Sequence, residues 1–311
     1  MRAKNIIEVI NFTQEELKYL IQEALAFKKD KHRQSEILKN KRVGLIFDSN
    51  SLRTKISFES AAYLLGGSSY FIEVRDITHE KDGTKREDYV DIIDTLDRMV
   101  DCYVVRDYSR QILKVLKRKD FPPFINGFCN TGHPSQALAD LSVIQWKKGA
   151  IAPLECVGVC PTKGSGVMES FVFAILMLGG KITLITPNGT LKGKNKDFHK
   201  TVADLTSRYH GTFKTTKVID TTVAKADVLY VDEWWENKKN FLNKKMGVYK
   251  VDEKFLKNKK NDLLIMHCLP AHPGREISRS VMNSQNSIIF DQAEFRVYSA
   301  MSLLAYMAED Q

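Results

Sequence analysis

The chain has 311 residues, 43% hydrophobic and 27% charged, enough for one large or two medium domains whose cores need no disulfide or metal staple. Its formal charge of +9 arises from 47 Lys+Arg against 38 Asp+Glu, with the excess scattered through stretches such as KNKDFHK, ENKKNFLNKK and KFLKNKK. These lysines lack interleaved aromatics, so they read as solvated faces that draw in small anions, not as a nucleic-acid surface. The apolar run FVFAILMLGG is about half a membrane span, so no membrane partner is expected. MRAKNIIEVI is too short an apolar run, broken by Glu8, to be a signal peptide. Cys102, Cys129, Cys156, Cys160 and Cys268 are odd in number and set in apolar stretches, which predicts reduced thiols in a cytoplasmic protein. Cys156 and Cys160 have no second pair to complete a zinc site, and no metal is expected.

In chain order, FTQEELKYLIQEALAF opens with a capping box, Thr13 with Glu16, and predicts a helix. RVGLIF reads as a strand and SFESAAYLLGG as a helix stopped by Gly66 and Gly67. SSYFIEV is a strand, followed by the charged excursion RDITHEKDGTKRE. The helix DYVDIIDTLDRMV leads to the strand DCYVVR, and the helix around SRQILKVLKRK leads to the strand PPFINGF. HPSQALADLSVIQWKKG is a helix that bridges to a second unit, where the alternation restarts. There the strands ECVGVC, KITLIT, GTFKTT, DVLYVDE and LLIMHCL alternate with helices, and DQAEFRVYSAMSLLAYMAE is a long terminal helix. The pattern predicts an α/β protein of two doubly wound parallel-sheet domains with a hinge near residues 140–150. Ligands in such sheets sit beyond the carboxyl ends of the strands.

Polar clusters stand at those strand ends. Ser51, Leu52, Arg53, Thr54 and Lys55 follow the first strand, Arg106 ends the third, and His133 and Gln136 follow the fourth. In the second half Asp232 follows DVLYV and His267-Cys268-Leu269-Pro270 closes LLIMHCLP, while Arg296 follows FDQAEF. Together they bring three arginines, an imidazole, an amide, a carboxylate and a thiol to one predicted crevice. The stretch FDSNSLRTKISFE has the makings of a phosphate seat. A helix start favours an anion through its N–H groups and dipole, Ser51 and Thr54 add hydroxyls, and Arg53 can clamp two oxygens. GVCPTKGS is not a Walker loop, since Lys163 and Gly164 stand in the reverse order. No G-x-G-x-x-G follows a strand, so nucleoside triphosphates and nicotinamide cofactors are not expected.

SLRTKISFE, HPSQALADL, HCLPAH and FDQAEFR, in this order and spacing, resemble the signature segments of the aspartate/ornithine carbamoyltransferase family, over nearly the whole chain. DRMVDCYVVR and DVLYVDEW are similar as well, and HCLP with D-x-W points to the ornithine or putrescine branch. The resemblance implies two domains joined by interdomain helices: a carbamoyl phosphate domain over 1–143, with the C-terminal helix 291–311 packing back on it, and an amine or amino-acid acceptor domain over 144–290. It implies a homotrimer with active sites at subunit interfaces and no cofactor. Carried over by motif, Ser51, Leu52 (through its backbone), Arg53 and Thr54 hold the phosphate, and Arg106 bridges phosphate and carbonyl oxygen. His133 donates to that oxygen, Gln136 contacts the carbamoyl amide and Arg296 closes on the same ligand. Cys268 and Leu269 line the junction with the acceptor, and Asp232 binds its ammonium.

The phosphate half departs from the family only slightly, with Leu52 for the usual Thr and Lys55 where Arg is frequent. The acceptor half departs more. Trp235-Glu236-Asn237 stands where ornithine enzymes usually have Ser-Met-Gly, so Trp235 is a possible acceptor contact. CPTKGSG carries none of the usual Asn residues, although Lys163 offers a charge there. Pro273 replaces a common Arg, and the 79–87 loop, which in the family reaches the neighbouring subunit, offers His79, Lys81 or Lys85. The expected reaction is carbamoyl transfer from carbamoyl phosphate to ornithine or an ornithine-like amine. The alternatives are putrescine or another diamine or modified amino acid as acceptor, or a non-catalytic relative that binds an anionic metabolite.

Overall fold

The structure is a computed structural model and describes residues 5–80, 82–117, 122–161, 163–193, 196–233 and 247–309. It divides into two compact units, Met1–Ser142 with Glu294–Gln311, and Val143–Ala293. Each is built on a parallel sheet with flanking helices.

In the first unit β1 (Arg42–Phe47), β2 (Ser68–Glu73), β3 (Cys102–Arg106) and β4 (Phe124–Phe128) run in the order β2-β1-β3-β4. β1 is buried at five of its six residues, and this is why RVGLIF shows no alternation: helices cover both faces of a parallel sheet. In the second unit β5 (Glu155–Val159), β6 (Lys181–Ile185), β7 (Thr212–Thr216), β8 (Val228–Val231) and β9 (Leu264–His267) run in the order β7-β6-β5-β8-β9. All neighbouring strands pair in parallel. Each order has one reversal, between β1 and β3 and between β5 and β8. A crevice opens at such a switch point, beyond the carboxyl ends of the strands.

The helices start and stop where their caps lie. Thr13 and Glu16 form the expected capping box of Gln14–Lys29. The helix Leu52–Leu64 ends ahead of Gly66, whose φ of +82° lets the chain pass where an added Cβ would lie 2.3 Å from the Ser35 carbonyl. The helix Gly166–Met177 is buried at every residue, so FVFAILMLGG is apolar all round because it is core. Among the described residues no helix is long and apolar enough to cross a membrane. The charged excursion contains one short helix, Arg75–Thr78, and a bridge between His79 and Lys85. The terminal helix Ile289–Ala308 begins two residues earlier than its sequence pattern suggests. Its last turns pack on the first helix: the Tyr306 ring stands edge-on to Phe12 at 5.9 Å, and Ser302 Oγ donates to the Leu20 carbonyl at 2.8 Å.

Candidate functional site

In the first unit the polar residues gather at the reversal between β1 and β3. Phe47 and Arg106 are register partners at the ends of these strands, so the turn after β1 opens beside the Arg106 side chain. Ser51 caps the helix Leu52–Leu64, its Oγ accepting from Thr54 N at 3.3 Å. The first turn holds no acidic residue, leaving the positive end of the helix uncountered. Leu52 points its side chain outward, 73% exposed, so only its backbone is available to the seat. Thr54 is buried against the sheet, and Gly127 permits that approach: a Cβ there would stand 3.1 Å from Thr54 Cγ2.

Arg106 follows a register shift between β3 and β4, a bulge that re-aims the strand end. Its guanidinium lies 4.5 Å from the centroid of Phe128, and its Nε is buried without a hydrogen-bond partner among the described residues. Burial pushes its pKa down to about 10; nearby Asp48 opposes the shift and Arg53 reinforces it. Arg106 therefore stays charged at neutral pH, but incompletely neutralised, which suits a group that meets an anion.

Arg296, on the terminal helix, is the hub of the cluster. It donates through Nη1 to Gln136 Oε1 and approaches His133 Nε2 at 3.4 Å; through Nη2 it donates to Thr54 Oγ1 at 3.3 Å and Ser135 Oγ at 3.5 Å. Because a guanidinium only donates, His133 Nε2 accepts, and the ring proton sits on Nδ1, 3.3 Å from Ser135 Oγ. The His133 ring is edge-on to Phe128 at 5.2 Å. Burial, then Arg296, Arg106 and Arg53, hold its pKa well below the ordinary imidazole value. This histidine is neutral at physiological pH. The set of fixed cations, hydroxyls and a neutral imidazole suits an anionic ligand with a polarisable carbonyl.

In the second unit the reversal between β5 and β8 brings together the loop after β5 and Asp232. Asp232 is buried; its Oδ2 accepts from Ser165 Oγ, and its Oδ1 from Glu233 N at 2.8 Å. Ser165 also caps the helix Gly166–Met177, accepting from Met168 N at 3.0 Å. Lys163 is exposed in this loop. Cys268 and Leu269 follow β9; Cys268 is half-buried, and Leu269 has a φ of +59° with its N–H donating to His267 Nδ1 at 2.9 Å. Burial pushes the Cys102 thiol up to about 12 and those of Cys156 and Cys160 up as well, which makes these three inert. Trp235 and Lys81 lie outside the described residues. His79 contacts Thr78 Oγ1 at 2.9 Å and Lys85 pairs with Asp88, so each has a partner at the edge of its own loop.

The structure thus brings Thr54, His133, Gln136 and Arg296 into direct contact, with Arg106 beside Phe128 and Arg53 close enough to act on both His133 and Arg106. Four residues passed over in the sequence complete the two clusters: Ser135, Phe128, Asp140 and Ser165. Ser165 carries a signal, a serine ahead of a helix. Asp140 stands four residues after Gln136 on one helix, the spacing at which side chains meet. Phe128 and Ser135 had no signal of their own beyond lying next to polar strand ends.

Residues 4–146 match the family model described as aspartate/ornithine carbamoyltransferase, carbamoyl-P binding domain, and residues 155–307 match that described as aspartate/ornithine carbamoyltransferase, Asp/Orn binding domain. The ornithine carbamoyltransferase of Oceanobacillus iheyensis is 30% identical over 317 residues, covering 100% of this chain and 96% of that protein. The catabolic ornithine carbamoyltransferase of Thermoplasma acidophilum is 31% identical over 309 residues, covering 98% of each. The solved ornithine carbamoyltransferase of Pyrococcus furiosus superposes with a TM-score of 0.86 at 30% identity, over 97% of this chain and 96% of that one.

Proposed function

Because the chain belongs to the aspartate/ornithine carbamoyltransferase family, we propose that it transfers the carbamoyl group of carbamoyl phosphate to the side-chain amine of ornithine, giving a ureido product of the citrulline type and phosphate. The observation that carries this reading is the cluster of Arg296, His133, Gln136 and Thr54 beside Arg106, because its donors suit a phosphate and a carbonyl together.

On this reading the first unit holds carbamoyl phosphate and the second holds the acceptor. Ser51, the Leu52 N–H, Arg53 and Thr54 take the phosphate oxygens, and Arg106 spans phosphate and carbonyl. Attack by a neutral amine builds negative charge on the carbonyl oxygen. Donors from Arg106 and Thr54, joined by His133 once its ring proton is on Nε2, stabilise that charge by roughly 3 kcal/mol each. The carbon–nitrogen bond forms, the carbon–oxygen bond to phosphate breaks, and phosphate leaves as an anion already neutralised by arginines, one of its oxygens taking the amine proton. No covalent enzyme intermediate is required, so Cys268 and Leu269 act by position, and Asp232 receives an ammonium of the acceptor. Lys163, exposed in the loop after β5, is the further candidate for an acceptor contact.

The assembly we infer is a homotrimer in the cytoplasm, where the five thiols stay reduced. An exposed apolar stripe supports self-association: Leu52 (73% exposed), Ile56 (49%) and Tyr63 (79%) on one helix. On this reading the 79–87 loop is the segment that meets the neighbouring copy.

Initial rates of phosphate release from carbamoyl phosphate, measured with ornithine, putrescine, lysine and Nα-acetylornithine, test the reading. Ornithine is expected to give the highest kcat/KM. No acceptor-dependent turnover in folded protein would refute it.

A further inference from the structure

We propose that Asp140 is a positioning residue that makes the site selective for a carbamoyl group by fixing the direction of the Gln136 amide; the inference rests on reading Gln136 as a carbamoyl contact. The two residues lie one turn apart on the helix Pro134–Lys148, Gln136 at 2% exposure and Asp140 fully buried. An amide side chain has a donor at one end and an acceptor at the other, and its shape does not tell them apart. Here the neighbours do.

Gln136 Nε2 donates to Asp140 Oδ1 at 2.8 Å, and Gln136 Oε1 accepts from Arg296 Nη1. Both contacts demand the same orientation, because a carboxylate accepts and a guanidinium only donates. Turning the amide over would break both bonds and set like against like at each end. Arg296 in turn points its other nitrogen at Thr54 and Ser135, so Gln136 Oε1 faces the same small space as these hydroxyls and His133.

A carbonyl oxygen has two lone pairs, so Oε1 can hold Arg296 and a ligand N–H together. The site therefore presents an acceptor to the ligand at this point. That matches the –NH2 of a carbamoyl group and mismatches the methyl of an acetyl group. Asp140 touches no ligand on this account; it acts through Gln136. With Asp140 removed, the amide loses the partner that holds its nitrogen, and the preference for –NH2 falls while the phosphate seat is untouched.

The test compares dissociation constants of carbamoyl phosphate, acetyl phosphate and inorganic phosphate, by calorimetry, for wild type, Asp140→Leu and Asp140→Asn. Leucine keeps the bulk and removes the acceptor; asparagine keeps an acceptor oxygen and removes the charge. The preference for carbamoyl over acetyl phosphate is expected to fall about tenfold in Asp140→Leu, the worth of one hydrogen bond. Inorganic phosphate should bind within about twofold of wild type, and Asp140→Asn should restore the preference. Equal loss in both variants would mean that the charge matters and not the acceptor, and would overturn the proposal. So would a preference that survives in Asp140→Leu. A wild type that binds phosphate yet does not distinguish carbamoyl from acetyl phosphate would overturn the carbamoyl reading itself, an outcome separable from the other two. Where Asp140→Leu fails to fold, the wild-type side-chain NH2 signal of Gln136, assigned by its loss in Gln136→Met, still decides. Little movement on saturation with carbamoyl phosphate is expected, since that nitrogen faces Asp140; a contact between those protons and the ligand would overturn the proposal.

Discussion

Arg296 Nη2 donates to Thr54 Oγ1 at 3.3 Å, joining the terminal helix to the first turn of a helix 242 positions earlier in the chain. The same guanidinium holds Gln136 and meets His133 and Ser135, so the cluster depends on one planar fork. A lysine supplies the charge without the fork. Arg296→Lys is expected to raise the KM for carbamoyl phosphate roughly tenfold or more, the loss of at least one charged hydrogen bond, with a smaller effect on the acceptor KM. Steady-state kinetics at saturating co-substrate read the two constants separately.

Arg53 should be the main anchor of the phosphate. A charge-assisted hydrogen bond contributes about 1.5–3 kcal/mol, so Arg53→Ala is expected to weaken inorganic phosphate and carbamoyl phosphate by roughly ten- to a hundredfold each. Calorimetric affinities that match wild type would remove the phosphate seat from the account.

His133 should stay neutral through the physiological range. Its surroundings penalise the charged form, first by burial and then through Arg296, Arg106 and Arg53, so its folded pKa lies below the ordinary value of about 6.5. The sign follows from linkage. Below about pH 6.5 the unfolded chain takes up a proton that the folded chain refuses, so this group lowers stability as the pH falls. Histidine NMR is expected to show no protonation of His133 between pH 8 and about pH 6. It should also show the proton moving from Nδ1 to Nε2 when carbamoyl phosphate binds, since donation to the carbonyl needs it there.

Ser165 holds Asp232 by a hydrogen bond from its hydroxyl while capping the helix Gly166–Met177. Ser165→Ala is expected to cost about 1 kcal/mol of stability, as lost caps do, and to raise the acceptor KM several-fold. Carbamoyl phosphate affinity should not change, and Ser165→Thr should restore the acceptor KM. An effect on carbamoyl phosphate alone would mean that Asp232 does not serve the acceptor.

The strands and their parallel arrangement were legible in the sequence from the alternation of apolar runs with helix patterns, and the crowding of the polar turn after β1 was legible because it is local. RVGLIF is apolar without a break, and Ser51, Arg53 and Thr54 are packed into one turn. Arg106, His133 and Arg296 could be placed at strand or helix ends, and the resemblance of HPSQALADL and FDQAEFR gave them roles. What joins them was not legible. The contact of Arg296 with Thr54 and the hydroxyl of Ser165 on Asp232 depend on how distant segments pack, which hydrophobic period does not encode. Leu52 is apolar yet faces outward, as the first residue of the helix that Ser51 caps. Glu169 shows it in reverse, a carboxylate fully buried in the first turn of a core helix.

The most direct test follows 13C from labelled carbamoyl phosphate by NMR, with ornithine as acceptor, in wild type and Arg53→Ala. Wild type is expected to move the label into the ureido carbon of the product with one phosphate released per product, and Arg53→Ala to do so at a small fraction of the rate. Label appearing only as bicarbonate, with phosphate released whether or not ornithine is present, would contradict it.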